Sequence, residues 1–343
     1  MLPFSPLSTR WAKLTQVRLT HLAQVALPFS RQRRRLLLLG LGVAVATACS
    51  GRSQTASLDP QAIETKLVQH AYGEAQVPIN PARVVVLGFY TLEAVMALGV
   101  EPVASSGMIF NNLLHLPYPD REIVDIGNPR EPSLEQIAAL KPDLILSSKG
   151  FTNEDTYALL SQVASTVVFD IDGGTNWQTL TRQYGEVLDK AAEAEQLEAN
   201  YAAKLQAFQT QLPKAARQIE VSVTYFAPER ISAFGKETFP GTVLAAAGLS
   251  RPSQQADAEI LQVSLERLSD IDGDVLFVVE PQSQTKEAGN VRAALERIKA
   301  NPLWAQLEAV QAGRVYEVDA HWAGAGYIAA NLVLDDLLKY VAN

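Results

Sequence analysis

The chain has 343 residues, 48% of them hydrophobic and 19% charged, which is globular material long enough for two domains of typical size. Its formal net charge is −8, and residues 1–48 carry seven basic side chains (Arg10, Lys13, Arg18, Arg31, Arg33, Arg34, Arg35) and no acid, so removing them leaves −15. So acidic a body excludes nucleic acid as a partner, because phosphate-backbone binding needs clustered basic charge. The single cysteine excludes a disulfide framework, a Cys-rich zinc site and an internal dithiol.

In chain order, the first feature is the apolar run LLLLGLGVAVATA over residues 36–48, too short to cross a bilayer as a stable helix. Basic residues precede it and small residues close it, the order of an export signal, so residues 1–48 are read as a removable signal peptide. Ala46-Thr47-Ala48-Cys49 resembles a bacterial lipobox, with Ala46 where Leu is usual. The resemblance implies that Cys49 is acylated and becomes the new N-terminus, anchoring the chain on the membrane with its body facing the periplasm or cell exterior. Each buried methylene of such an anchor contributes about 0.8 kcal/mol. Arg33-Arg34-Arg35-Leu36-Leu37 resembles a twin-arginine signal with Gln32 at the usual Ser/Thr position, which leaves the export route open. Residues 49–65 read as a tether, small and polar over 50–60.

A strand–loop–helix pattern then begins. Residues 83–88 (RVVVLG) predict a strand, 92–98 a helix, 100–105 a strand, 134–140 a helix and 143–146 a buried strand. Strands alternating with helices predict a parallel sheet covered on both faces, in a first lobe over 66–175. Over 176–212 the pattern becomes a proline-free helical segment with apolar positions Leu180, Tyr184, Leu188, Ala191, Ala194, Leu197, Tyr201, Leu205 and Phe208. Their spacing makes one apolar stripe. A single helix of that length would run roughly 50 Å and bridge two lobes. The α/β pattern resumes over 213–343, with apolar segments at 221–225, 243–247, 275–279 and 315–318. The fold class is thus α/β, two Rossmann-like lobes with parallel sheets joined by one long helix.

An internal repeat supports the two lobes. SLEQIAALKPDLIL at 133–146 aligns without a gap on SLERLSDIDGDVLF at 264–277, an offset of 131 residues. Ser, Leu, Glu and Asp coincide, and the offset is domain-sized. Ser133 and Ser264 occupy N-cap positions, so Glu135 and Glu266 fall in the first helical turn, where a helix dipole favours acids.

Together with HAYG at 70–73, INPARVVVL at 79–87, LGVEPV at 98–103, Trp322 and LDDL at 334–337, these segments make residues 66–341 similar to the iron-siderophore and cobalamin class of ABC-transporter substrate-binding proteins. The resemblance implies a non-enzymatic monomer that delivers a ferric siderophore to the permease of an ABC importer and carries no cofactor of its own. Cobalamin or heme is the alternative ligand. It also implies that Glu135 and Glu266, one per lobe, dock on arginines of the permease; helix N-terminal stabilisation is the competing role for the same residues. Loops at the carboxyl ends of the strands should line the cleft. They offer Phe89 and Tyr90, then Met108 and Phe110, then Tyr225, Phe226 and Arg230, then His321, Trp322 and Tyr327. Aromatic rings supply area, and Arg230 is the cation for an anionic chelate, with Arg130 as an alternative.

Three other readings are set aside. GAGYIA at 324–329 fits a G-x-G-x-x-A dinucleotide fingerprint, but the strand and acid that should follow about 20 residues later are absent before Asn343. A bare-metal site needs converging His and carboxylate ligands, and beyond the signal peptide only His70, His115 and His321 remain. G-x-S-x-G, Walker A and HExxH motifs are lacking, and a chelatase of related two-lobed plan is the best enzyme alternative, disfavoured by export.

Overall fold

The computed structural model describes residues 64–342 apart from 108–114, 118–121, 171–172, 215–217, 229, 258, 281–285 and 325. The expected signal peptide, Cys49, nearly all of the tether, Met108 and Phe110 lie outside the described residues. Chain order begins with an antiparallel hairpin of β1 (Thr65–His70) and β2 (Gly73–Pro78). The first lobe continues with β3 (Val84–Val86), α1 (Phe89–Ala97), β4 (Ala104–Ser105), β5 (Val124–Asp125), the small hairpin of β6 (Gly127–Asn128) and β7 (Glu131–Pro132), α2 (Leu134–Ala139), β8 (Leu144–Ser148), α3 (Glu154–Leu160) and β9 (Ser165–Phe169). Its central sheet has the order β5-β4-β3-β8-β9 and is parallel throughout.

After α4 (Gly173–Val187) and α5 (Ala191–Gln211), the second lobe comprises β10 (Val221–Ala227), β11 (Arg230–Phe234), α6 (Phe239–Ala247), β12 (Ile260–Val263), a 3-10 helix at Leu265–Ile271, β13 (Val275–Val279), α7 (Lys286–Lys299), α8 (Glu308–Gln311), β14 (Val315–Val318), a 3-10 helix at Ala320–Ala323 and α9 (Tyr327–Tyr340). Its sheet has the corresponding order β12-β11-β10-β13-β14. Here β10, β13 and β14 are parallel, while β11 and β12 return antiparallel. The expectation of wholly parallel sheets is therefore corrected at this edge. Where the first lobe inserts α1 between its first two strands, the second turns back directly from Ala227 to Arg230. β8 and β13 are buried along their whole length, as a sheet covered on both faces requires.

The repeat is structural as well as sequential. The Asp143 carboxylate accepts the amides of Ala82 (2.7 Å) and Arg83 (2.9 Å) just before β3, and the Asp274 carboxylate accepts the amide of Glu220 (2.8 Å) just before β10. Each lobe uses the same aspartate to hold the start of its central strand beside the next. Ser133 caps α2 through its hydroxyl, which accepts the Gln136 amide at 3.3 Å. Ser264 begins a 3-10 helix and makes no such cap; with the Glu266 amide it instead bonds the Glu266 carboxylate, and those bonds hold that carboxyl below its ordinary range.

The single helix expected over 176–212 is two helices. Asp189 takes φ +57° in the break, an accessible conformation for Asp and a poor one for most residues. Its carboxylate is bound by Lys66 and by the Asn80 amide (3.2 Å), which fixes the turn against the opening hairpin. At 21 residues α5 is about 32 Å long. It still joins the lobes: Ala194 packs in the first lobe's core, Tyr201 and Phe208 in the second's, and Leu197 against both. α4 does the same, with Trp177 in the second core and Leu180, Tyr184 and Val187 in the first. Two helices cross between lobes, so bending one about the other disrupts packing in both cores. No helix among the described residues is long and apolar enough to cross a membrane.

Candidate ligand-binding cleft

On the first lobe, the carboxyl ends of β3 and β8 bring Phe89 and Phe151 edge-to-face, ring centroids 5.5 Å apart. Gly88, at φ +108°, is required there, since a Cβ would lie 2.7 Å from the Phe151 ring. Phe89 and Tyr90 open α1 rather than lying in a loop, and both are half-buried against the core. Arg130 lies over the Phe151 ring at 5.4 Å and donates from Nε to the Gly150 carbonyl at 3.2 Å. The rim thus pairs aromatic area with a guanidinium, but around Phe151, which sequence reading missed. Its only signal was a position just after a buried strand and Gly150.

On the second lobe, Tyr225 and Arg230 flank the β10–β11 turn. Tyr225 is half-buried; burial pushes its phenol up and the Arg230 charge opposes this, so it is a neutral hydrogen-bonding group at physiological pH. Arg230 is exposed and lines a cavity of about 420 Å³ with Ala227, Val263, Glu266, Arg297 and Ile298. One residue expected to bind ligand and one expected to dock therefore share a cavity. Phe226 faces the other side of the sheet, buried against Trp304.

Two expected ligand residues are core residues. Trp322 has no exposure, stacks on Phe277 at 4.2 Å and donates from Nε1 to the Asp336 carboxylate at 2.8 Å. Tyr327, 2% exposed, packs edge-on against Trp177 (4.9 Å) and Tyr201 (5.9 Å), in the cluster that seats both crossing helices. Both follow β14 as expected, yet their rings turn inward because the second core needs volume where α4, α5 and α9 converge. His321 is also buried, and its Nε2 lies 3.0 Å from Asp336. Burial pushes the Asp336 carboxyl up, but the bonds from His321 and Trp322 and the nearby His321 and Lys339 charges outweigh it and hold the group below the ordinary carboxylate range. Asp336 therefore stabilises the fold fully above its unfolded pKa, and that contribution is lost as pH falls through the lower, folded value.

Glu135 and Glu266 are both exposed. The Ser133 amide bonds the Ile126 carbonyl (2.9 Å) just past β5, and Val263 pairs with Ile231 beside the end of β10. Each glutamate consequently stands at the carboxyl end of the parallel strands of its own lobe.

Two α/β lobes of matching strand order are thus joined by crossing helices, with the candidate residues gathered at the carboxyl ends of their strands. The family described as periplasmic binding protein matches residues 84–321, and the chain belongs to that family. A probable siderophore-binding lipoprotein of Bacillus subtilis, YfiY, is 30% identical over 307 residues, covering 86% of this chain and 93% of YfiY. The ferric-anguibactin-binding protein FatB of Vibrio anguillarum is 30% identical over 295 residues, covering 81% and 88%. The crystal structure of Staphylococcus aureus SirA complexed with staphyloferrin B superposes with a TM-score of 0.67 at 29% identity, covering 80% of this chain and 98% of SirA.

Proposed function

We propose that this protein captures a ferric siderophore outside the cytoplasm and delivers it to an ABC importer, held at the membrane through acylated Cys49. The observation that carries the reading is the likeness along nearly the whole of both chains to a relative named for siderophore binding. The chemistry agrees. A chelate brings its own donor atoms to iron and presents a broad, anionic surface, which Phe89, Phe151 and Tyr225 can cover and Arg130 and Arg230 can pair with. Among the described residues no group of three or more His, Cys, Asp or Glu side chains is placed to hold a metal ion.

Calorimetric titration with ferric citrate, a ferric hydroxamate and a ferric catecholate tests this, with micromolar or tighter binding expected for one class. Arg230→Ala should weaken the most anionic chelate most, by about tenfold, the loss of one charge-assisted contact. Tight binding of cobalamin or heme with no response across the ferric panel would move the ligand assignment and leave the transport role standing. For the anchor, Cys49→Ser should release the protein from the membrane fraction or leave it unprocessed; an unacylated wild-type N-terminus with unchanged fractionation would contradict it.

A further inference from the structure

The N-terminal turn of α9 lies against the first lobe, not only its own. Ile328, in that turn, packs into the first lobe's core, and Glu93, carried by α1, is completely buried beneath it. The Glu93 carboxylate accepts the Ala329 amide at 2.8 Å, across 236 residues of sequence. Ala329 is the third residue of α9, whose early amides have no partner within the helix and whose own N-cap, Gly326, has no side chain to offer. A carboxylate there is held by both the hydrogen bond and the positive end of the helix dipole. The glycines of the dinucleotide-like motif make room for this contact: a Cβ on Gly326 would lie 3.2 Å from Glu93 Cγ, and one on Gly324 would lie 2.3 Å from the Ala329 Cβ. The loop that mimics a phosphate-binding turn thus leads into a helix whose early amide is capped by the protein's own glutamate from the opposite lobe.

The second Glu93 oxygen lies 3.5 Å from His115 Nε2, also on the first lobe and only 2% exposed in its side chain. The His115 ring meets that of His321 edge-on at 6.4 Å, and His321 bonds Asp336 on α9. A row of Glu93, His115, His321 and Asp336 therefore runs from one lobe into the other. A fully buried carboxylate is tolerated only with such partners. We propose that Glu93 is the positioning residue between the lobes: by capping α9 from across the joint it fixes the angle between them, and with it the width of the cleft and the separation of Glu135 from Glu266. This inference is independent of the ligand's identity.

The test uses the full chain carrying Cys49→Ser, with spin labels on cysteines introduced at the exposed positions Asp155 and Ala293, one per lobe. Glu93→Ala should broaden the inter-lobe distance distribution and raise its minor component about tenfold, the effect of losing one charge-assisted hydrogen bond. Glu93→Gln, which keeps an acceptor and loses the charge, should fall between wild type and Glu93→Ala. Amide protection of β8 and β13, measured by hydrogen exchange, should stay at wild-type level in both. Gly326→Ala crowds an intact Glu93 and should broaden the distribution as well, which keeps the proposal testable if Glu93→Ala does not fold. Unchanged distributions in all variants would overturn the proposal. So would loss of protection in β8 but not β13 in Glu93→Gln with an unchanged distance distribution, because Glu93 would then be serving its own lobe's stability.

Discussion

Reversing the charge at both Glu135 and Glu266 to Lys should abolish uptake while leaving ligand affinity and melting temperature nearly unchanged. Both carboxylates are exposed, they occupy equivalent repeat positions, and each stands at the carboxyl end of its lobe's parallel strands. Two anions held at a fixed separation by two rigid lobes suit a partner with matched cations. Breaking a charge pair that becomes buried on docking costs roughly 2–5 kcal/mol, and placing like charges together costs more. Two reversals would therefore reduce docking by several orders of magnitude, and either alone by less. The competing role, stabilisation of a helical turn, is worth only about 0.3–1 kcal/mol per site. Glu→Gln at both positions separates the two. If the carboxylates serve only their own helices, transport survives and the melting temperature falls slightly; if they dock, transport fails at unchanged stability. Since Glu266 shares its cavity with Arg230, ligand affinity must be measured on the same variants. A loss of affinity would assign Glu266 to the ligand.

Trp322→Ala should destabilise the protein by about 3–5 kcal/mol, the usual range for emptying a buried tryptophan site. That is a large part of a net stability of about 5–15 kcal/mol. Two losses add: the stacked face of Phe277 is left beside a cavity, and Asp336 keeps only the His321 bond where it had two donors. Trp322→Phe retains the stack and loses the N–H, so about 1–3 kcal/mol is expected. Urea denaturation followed by far-UV circular dichroism measures both. Weakened ligand binding at an unshifted denaturation midpoint would instead show that the ring serves the cleft. The other tryptophans beyond the signal peptide, Trp177 and Trp304, are 2% and 7% exposed, so calorimetry is the sounder measure of binding than direct contact quenching.

The lobes were legible in the sequence because their signals are local or periodic. The apolar runs of β3, β8, β10 and β13 stand out as buried strands, and the Ser-Leu-Glu…Asp repeat marks equivalent places in the two sheets. What was hidden depends on tertiary context. The β10–β11 turn lacks an Asn-Gly or Asp-Gly pair, so the reversal at Ala227–Arg230 carried no turn signature. The break between α4 and α5 falls at Asp189; the nearby Gly185, where a Cβ would lie 2.9 Å from Ala194 Cβ, reads in sequence as an ordinary helical glycine, and the turn is held by Lys66 and Asn80 from far earlier in the chain. Trp322 and Tyr327 lie in the expected segment after β14, but an isolated aromatic has no periodicity to say which way it faces. Glu93 sits in TLEAVMALG as an ordinary helical acid, and only the contact with Ala329 reveals its place between the lobes.

The most direct measurement is native mass spectrometry of the protein released from its host membrane, in which a retained ligand is weighed together with the chain. A mass increment matching an organic chelator plus iron, removed by an iron-reducing competitor, is the expected result, as is an N-terminal mass showing an acylated Cys49. A purified protein that carries no ligand, and then fails to acquire any ferric chelate from iron-starved culture medium while retaining its fold, would contradict siderophore capture.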